Sequence, residues 1–279
     1  MKLDTVQSIL QQAGKLPEKS LWIQGVGIAG SFARGTTDPF SDVDICVFGH
    51  GEYPPLEERL ALYTDLGFTN VIYKDVNFAT SRGDGFERDD LRIDFNWMRT
   101  ETIQTFLEKL NTDFDSSEWP PGGIAQVKPI HDPENIIAQL QNRIPEYPIE
   151  RAKYRVEKGL QAAYFSIYDL GWLGKAAHRE DFFSFLKYQS QVLEKFFYIL
   201  YALNRTWLSD EKKLLEQIMT FEFKPPNTEQ RIKNIILHQD GNEDLNHCVV
   251  EINTLFQDTA RCAQQQFHNV AIPIHWRPS

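Results

Sequence analysis

The segment Ser41-Asp42-Val43-Asp44-Ile45-Cys46-Val47-Phe48 constrains the fold more than any other part of the chain. Side chains alternate along a strand, so Asp42 and Asp44 project from one face while Val43 and Ile45 enter the core on the other. Two like charges held so close need a cation. The hard divalent ion that prefers oxygen ligands, and shares them with substrate phosphates, is Mg²⁺. A third carboxylate, Asp94, lies in Leu91-Arg92-Ile93-Asp94-Phe95-Asn96-Trp97, where alternation sets Arg92, Asp94 and Asn96 against Leu91, Ile93, Phe95 and Trp97. The grouping points to metal-assisted transfer of a phosphorus-centred group.

The residues ahead of this strand supply an anion site. Leu21-Trp22-Ile23-Gln24 reads as a short strand, and Gly25 to Gly30 gives backbone that a ligand can approach closely. Ser31 opens the first turn of a helix, Ser31-Phe32-Ala33-Arg34, whose free amide hydrogens and hydroxyl suit a triphosphate. Gly25, Gly27 and Gly30 also spell a dinucleotide-binding fingerprint. That fingerprint needs a long crossover helix before the next parallel strand. Gly35, Pro39 and the polar run between them leave room for one or two helical turns only, which argues against it.

Gly30-Ser31 followed by Asp42-x-Asp44 and a later strand carboxylate resembles the nucleotidyltransferase superfamily, in the version found in bacterial antibiotic and related small-molecule nucleotidyltransferases. The resemblance is specific over about residues 20–100. It implies that Gly30 and Ser31 bind the triphosphate, with Arg34 beside them. It further implies that Asp42 and Asp44 hold Mg²⁺, as two ions, and that Asp94 joins them as metal ligand or general base. ATP is the expected co-substrate, and a hydroxyl of a small molecule the expected acceptor. Two other readings use the same residues: adenylylation of a protein, as antitoxin-type relatives do, and a non-catalytic nucleotide-binding module.

A chain of 279 residues with 42% hydrophobic and 13% aromatic content is long and apolar enough for one large or two ordinary domains. The net charge of −10 belongs mostly to residues 1–131, where 20 acidic residues face 12 basic ones. Tight binding to a nucleic-acid backbone requires a basic face, so a nucleic-acid partner is not expected, while a neutral or cationic acceptor is easily accommodated. Three widely spaced cysteines without metal-ligand spacing suit reduced thiols in a cytoplasmic protein. No apolar run is long enough to span a membrane.

The pattern predicts two parts: a mixed-sheet α/β (α+β) catalytic domain over residues 1–132 and an all-α bundle for substrate binding over 133–279. Strands are expected at 21–28, 42–48, 71–78, 91–97 and 124–130, with helices at 3–13, 56–65 and 100–110. Glu87, Asp89 and Asp90 read as a solvated loop, as does Pro120-Pro121-Gly122-Gly123. The second half reads as helices at 134–142, 149–171, 179–204, 209–219, 228–238 and 243–268, with Ser209 and Asp210 as caps. Its many aromatics are chiefly packing residues. Tyr164, Tyr168, Asp169 and Trp172 are the candidates for an acceptor-binding wall, as clefts between domains are common ligand sites. Arg231 and His238 have a ribonuclease-like spacing, but Ile232 stands where that site expects a polar residue.

Overall fold

The computed structural model describes residues 3–78, 80–168, 171–237 and 244–276; Asp169 and His238 lie outside them. The chain divides into two compact units, Met1–Pro145 and Glu146–Ser279.

The first unit is an α+β fold built on a six-stranded mixed sheet. In chain order its elements are α1 (Leu3–Ala13), α2 (Leu16–Lys19), β1 (Ile23–Ile28), α3 (Gly30–Arg34), β2 (Val43–Gly49), α4 (Leu56–Asp65), β3 (Asn70–Asn77), β4 (Ser81–Arg88), β5 (Leu91–Arg99), α5 (Thr100–Lys109), α6 (Trp119–Ala125), β6 (Lys128–His131) and α7 (Ile136–Asn142). The strand order is β3-β4-β5-β2-β1-β6. Only β2 and β5 run parallel, and their register sets Asp44 beside Asp94. The odd-numbered residues of β2 and β5, Val43, Ile45 and Val47 with Ile93, Phe95 and Trp97, are all fully buried on the covered face. The alternation read from the sequence is thus what orients both strands.

Three local expectations are corrected. The stretch Ser81–Arg88 is the strand β4, although Gly83, Gly85 and four charged residues give it poor intrinsic strand propensity. Pairing on both sides, with β3 and β5, overrides that propensity. Glu87 therefore belongs to a strand, and the acidic loop shrinks to Asp89 and Asp90, both at positive φ (53° and 61°) as a two-residue hairpin turn. Pro120-Pro121-Gly122-Gly123 is not a loop but part of α6. Proline preset to helical φ at the start of a helix explains why the run is tolerated there. The expected strand at 124–130 accordingly starts later, at Lys128.

A buried ion-pair network underlies the sheet. Arg59 and Asp84, both fully buried, pair at 2.7 Å, and the Tyr63 hydroxyl donates to Asp84 at 2.8 Å. Asp75, at positive φ in the bulged part of β3, donates its amide to Asp84 at 2.8 Å and accepts from Arg59. The network fastens the bulge of β3 to α4 and β4.

The second unit is all-helical: α8 (Ile149–Ile167), α9 (Trp172–His178), α10 (Phe182–Leu203), α11 (Leu214–Ile218), α12 (Thr228–Leu237) and α13 (Leu245–Gln266), then a 3₁₀ turn Ile274–Trp276. Its core is formed by apolar positions such as Val156, Leu160, Phe196, Ile199 and Phe256. The helix expected at 209–219 is shortened to α11, with Lys213 at its N-cap, while Asp210 accepts from the Lys212 amide. Among the described residues, no helix is long and apolar enough to cross a membrane.

Candidate functional site

The polar face of β2 and β5 carries the site. Asp42, Asp44 and Asp94 each offer a carboxylate oxygen, and these oxygens all lie within 4.8 Å of one another. Octahedral Mg²⁺ with oxygen ligands at about 2.1 Å holds neighbouring ligands about 3.0 Å apart and opposite ones about 4.2 Å apart. A spread of up to 4.8 Å is therefore within small side-chain rotations of a shared ion. Three hard oxygen donors, with no sulfur or nitrogen among them, are the donor set that Mg²⁺ selects.

Asp94 is only 7% exposed. Both of its oxygens accept from Arg92 Nε at 3.0 Å, so the guanidinium fixes the carboxylate's rotamer. Arg92 in turn lies over the Tyr73 ring, 5.5 Å from its centroid. Burial and the neighbouring Asp94 charge push the Tyr73 phenol up to about 12, which keeps it protonated at neutral pH. Cys46, next along β2 on the Asp44 side, is buried and its thiol is pushed up by burial and by the Asp44 charge, so it is an inert packing residue.

The turn between β1 and β2 is shaped around Asp44. The Ala29 amide donates to the Asp44 carbonyl at 2.9 Å, which ties the turn to the strand. Gly30 follows at φ +62°, a left-handed conformation, and a Cβ there would collide with Asp44 Oδ2. Both facts demand glycine at this position. Ser31 is the second residue of the short helix α3, and its buried hydroxyl has no hydrogen-bond partner among the described residues. An orphaned buried hydroxyl at a helix start is a group that a ligand would satisfy. Arg34, on the last turn of α3, donates to Gln126 Oε1 of the α6 C-cap at 3.2 Å. Gly25 and Gly27, by contrast, sit inside β1, where a Cβ would meet Asp132 and Val127 respectively. They are packing glycines and not a dinucleotide loop.

The structure thus brings Asp42, Asp44 and Asp94 together and sets Gly30 against Asp44, with Ser31 next to Gly30 in the chain. Tyr73 is a neighbour that the sequence reading missed. The signal was present in Gly83-Asp84-Gly85: two glycines at period two leave one strand face bare, and an aromatic ring fills it. In the helical unit, Tyr164 and Tyr168 stack on each other and on His275, while Trp172 stacks on Tyr188.

The family match agrees with this geometry. Residues 9–104 match the family model described as the nucleotidyltransferase domain. No curated protein matches the sequence significantly. Among solved structures, a nucleotidyltransferase-like protein from Exiguobacterium sibiricum is similar at a TM-score of 0.46 and 11% identity, over 93% of this chain and 78% of that one. The matched segment runs from α1 to α5 and spans the Gly30-Ser31 turn and all three aspartates. Residues 9–104 are therefore a nucleotidyltransferase domain.

Proposed function

We propose that this protein transfers a nucleoside monophosphate, AMP from ATP, to a hydroxyl of a small molecule and releases pyrophosphate. The observation that carries the reading is the convergence of Asp42, Asp44 and Asp94 within 4.8 Å beside the Gly30-Ser31 turn. Residues 1–132 are assigned as the catalytic domain and 133–279 as the helical substrate-binding domain.

Asp42, Asp44 and Asp94 are the residues to hold Mg²⁺, whose chemistry is to offset charge on the triphosphate. Gly30, lacking a Cβ, lets a phosphate approach the β1–α3 turn, and the Ser31 hydroxyl supplies a donor that no group among the described residues uses. Arg34 adds positive charge on the same short helix. In the transfer, the acceptor oxygen forms a bond to the α-phosphorus while the bond to the pyrophosphate oxygen breaks. The acceptor's proton passes to the Asp94 carboxylate, which Arg92 holds in place. Such general-base assistance contributes about 10²–10⁴-fold.

The test is incubation with Mg²⁺, each of the four common nucleoside triphosphates, and a panel of aminoglycosides, lincosamides and metabolite extracts, read by mass spectrometry. The expected result is a nucleotide adduct on a small molecule, formed by the wild type and not by Asp44→Asn. An adduct on a co-purified protein would replace the small acceptor by a protein one. Nucleotide binding without turnover in any condition would overturn the catalytic reading.

A further inference from the structure

An in-line displacement admits the nucleophile on the side opposite the leaving group. The strand order turns this requirement into a direction across the sheet. The turn assigned to the leaving pyrophosphate follows β1; next come β2 with Asp44, β5 with Asp94, β4 and finally β3. The acceptor must therefore arrive over β4 and β3. In register with Asp94 on β4 is Gly85, and in register with Asn96 is Gly83. Directly paired residues point to the same face, so any side chain at 83 or 85 would stand beside Asp94. Neither position has one. Instead, the Tyr73 ring lies where a Cβ of Gly85 would be, and the Phe78 ring occupies that place at Gly83. Two aromatic rings thus cover the face next to the carboxylates, and Phe78 remains 46% exposed.

We propose that Tyr73 and Phe78 form the platform on which the acceptor lies, and that the acceptor is a hydroxyl compound with a flat apolar face, such as a sugar ring or an aromatic ring. The inference rests on the nucleotidyl-transfer reading and adds to it the acceptor's side of approach and its chemical class. Aromatic rings attract flat apolar faces by dispersion and burial. The glycines are what permit the platform: alanine at 85 would push the Tyr73 ring off the strand, since its ring carbons lie at and below 2.9 Å from such a Cβ. Arg92, over the Tyr73 ring, anchors the inner end of the platform to Asp94.

The experiment uses the full chain with Mg²⁺ and a non-hydrolysable ATP analogue, and 4-nitrophenyl β-D-glucopyranoside as the probe, which carries hydroxyls, a pyranose face and an aromatic face. Binding of probe and analogue is measured separately by saturation-transfer NMR and calorimetry. The expected result is that Phe78→Ala weakens probe binding about three- to tenfold, the range of one aromatic contact. Phe78→Tyr restores it, and Gly85→Ala reproduces the loss. Affinity for the analogue stays unchanged in all three. Probe binding that is absent from the wild type, or indifferent to both Phe78→Ala and Gly85→Ala, overturns the platform. Failure of the underlying reading looks different: the wild type then shows no Mg²⁺-dependent affinity for the analogue.

Discussion

Gly30→Ala separates the cost of a backbone conformation from the cost of a misplaced carboxylate. The wild-type residue sits at φ +62°, and the added Cβ would overlap Asp44 Oδ2, with the Asp44 Cγ only 3.1 Å away. An L-residue held in the left-handed region costs roughly 1–2 kcal/mol. Relief of the overlap then requires the Asp44 carboxylate to move by about 1 Å, and a displacement of that size in a reacting site costs about 10²-fold in rate. Gly35 provides the control. It is also left-handed, at φ +75°, but nothing lies within 4 Å of where its Cβ would be. Gly35→Ala should lose the same 1–2 kcal/mol and keep its turnover. Both variants are compared by urea unfolding and by Mg²⁺-dependent pyrophosphate release from ATP. If Gly30→Ala and Gly35→Ala lose activity equally, or neither loses any, the placement of Asp44 against Gly30 is not what the reaction depends on.

Other outcomes follow from the same geometry. Three carboxylates within 4.8 Å repel one another without a cation, by about 1–3 kcal/mol for a pair at effective dielectric constants of 80 to 20. Asp44→Asn should therefore melt higher than wild type in EDTA, and lose the stabilisation that Mg²⁺ gives the wild type, about 2.7 kcal/mol at a hundredfold excess over Kd. Arg59→Ala leaves Asp84 fully buried without its cation, and should cost about 3–5 kcal/mol in denaturant unfolding. Its near-native stability would mean that the pair is not closed off from water. Asp75 supplies a pH dependence: burial opposes its charge, but hydrogen bonds from Arg59 and Arg82 outweigh it and hold the carboxyl below its usual value. Its contribution is complete above about pH 4 and is lost as pH falls through the depressed folded value. Acid titration of the melting temperature should show that loss, and Arg59→Ala should shrink it.

Much of the sheet was legible because polar and apolar residues alternate along the first part of its two central strands. With Val43, Ile45 and Val47, and Ile93, Phe95 and Trp97, all turned into one core, Asp44 and Asp94 fall on the opposite face. What was not legible depended on neighbours. The strand β4 has two glycines and four charged residues in eight, and it is a strand because β3 and β5 pair with it on both sides. The helix α6 begins on a Pro-Pro-Gly-Gly run, which local rules read as a turn. The pairing of Asp94 with Arg92 could be anticipated from their shared face, and the Gly83/Gly85 spacing called for an aromatic ring without saying that it is Tyr73. Its approach depends on the bulge in β3, which Asp75 and its bonds to the buried Arg59 and Asp84 hold in place.

The central claim is that Asp42, Asp44 and Asp94 together clasp a divalent cation for nucleotide transfer. Electron paramagnetic resonance of Mn²⁺, titrated into the protein with and without ATP, addresses it without reference to the acceptor. The account predicts a Mn²⁺ site that ATP strengthens and that Asp44→Asn and Asp94→Asn each weaken at least tenfold. Affinity equal to wild type in both variants would contradict it.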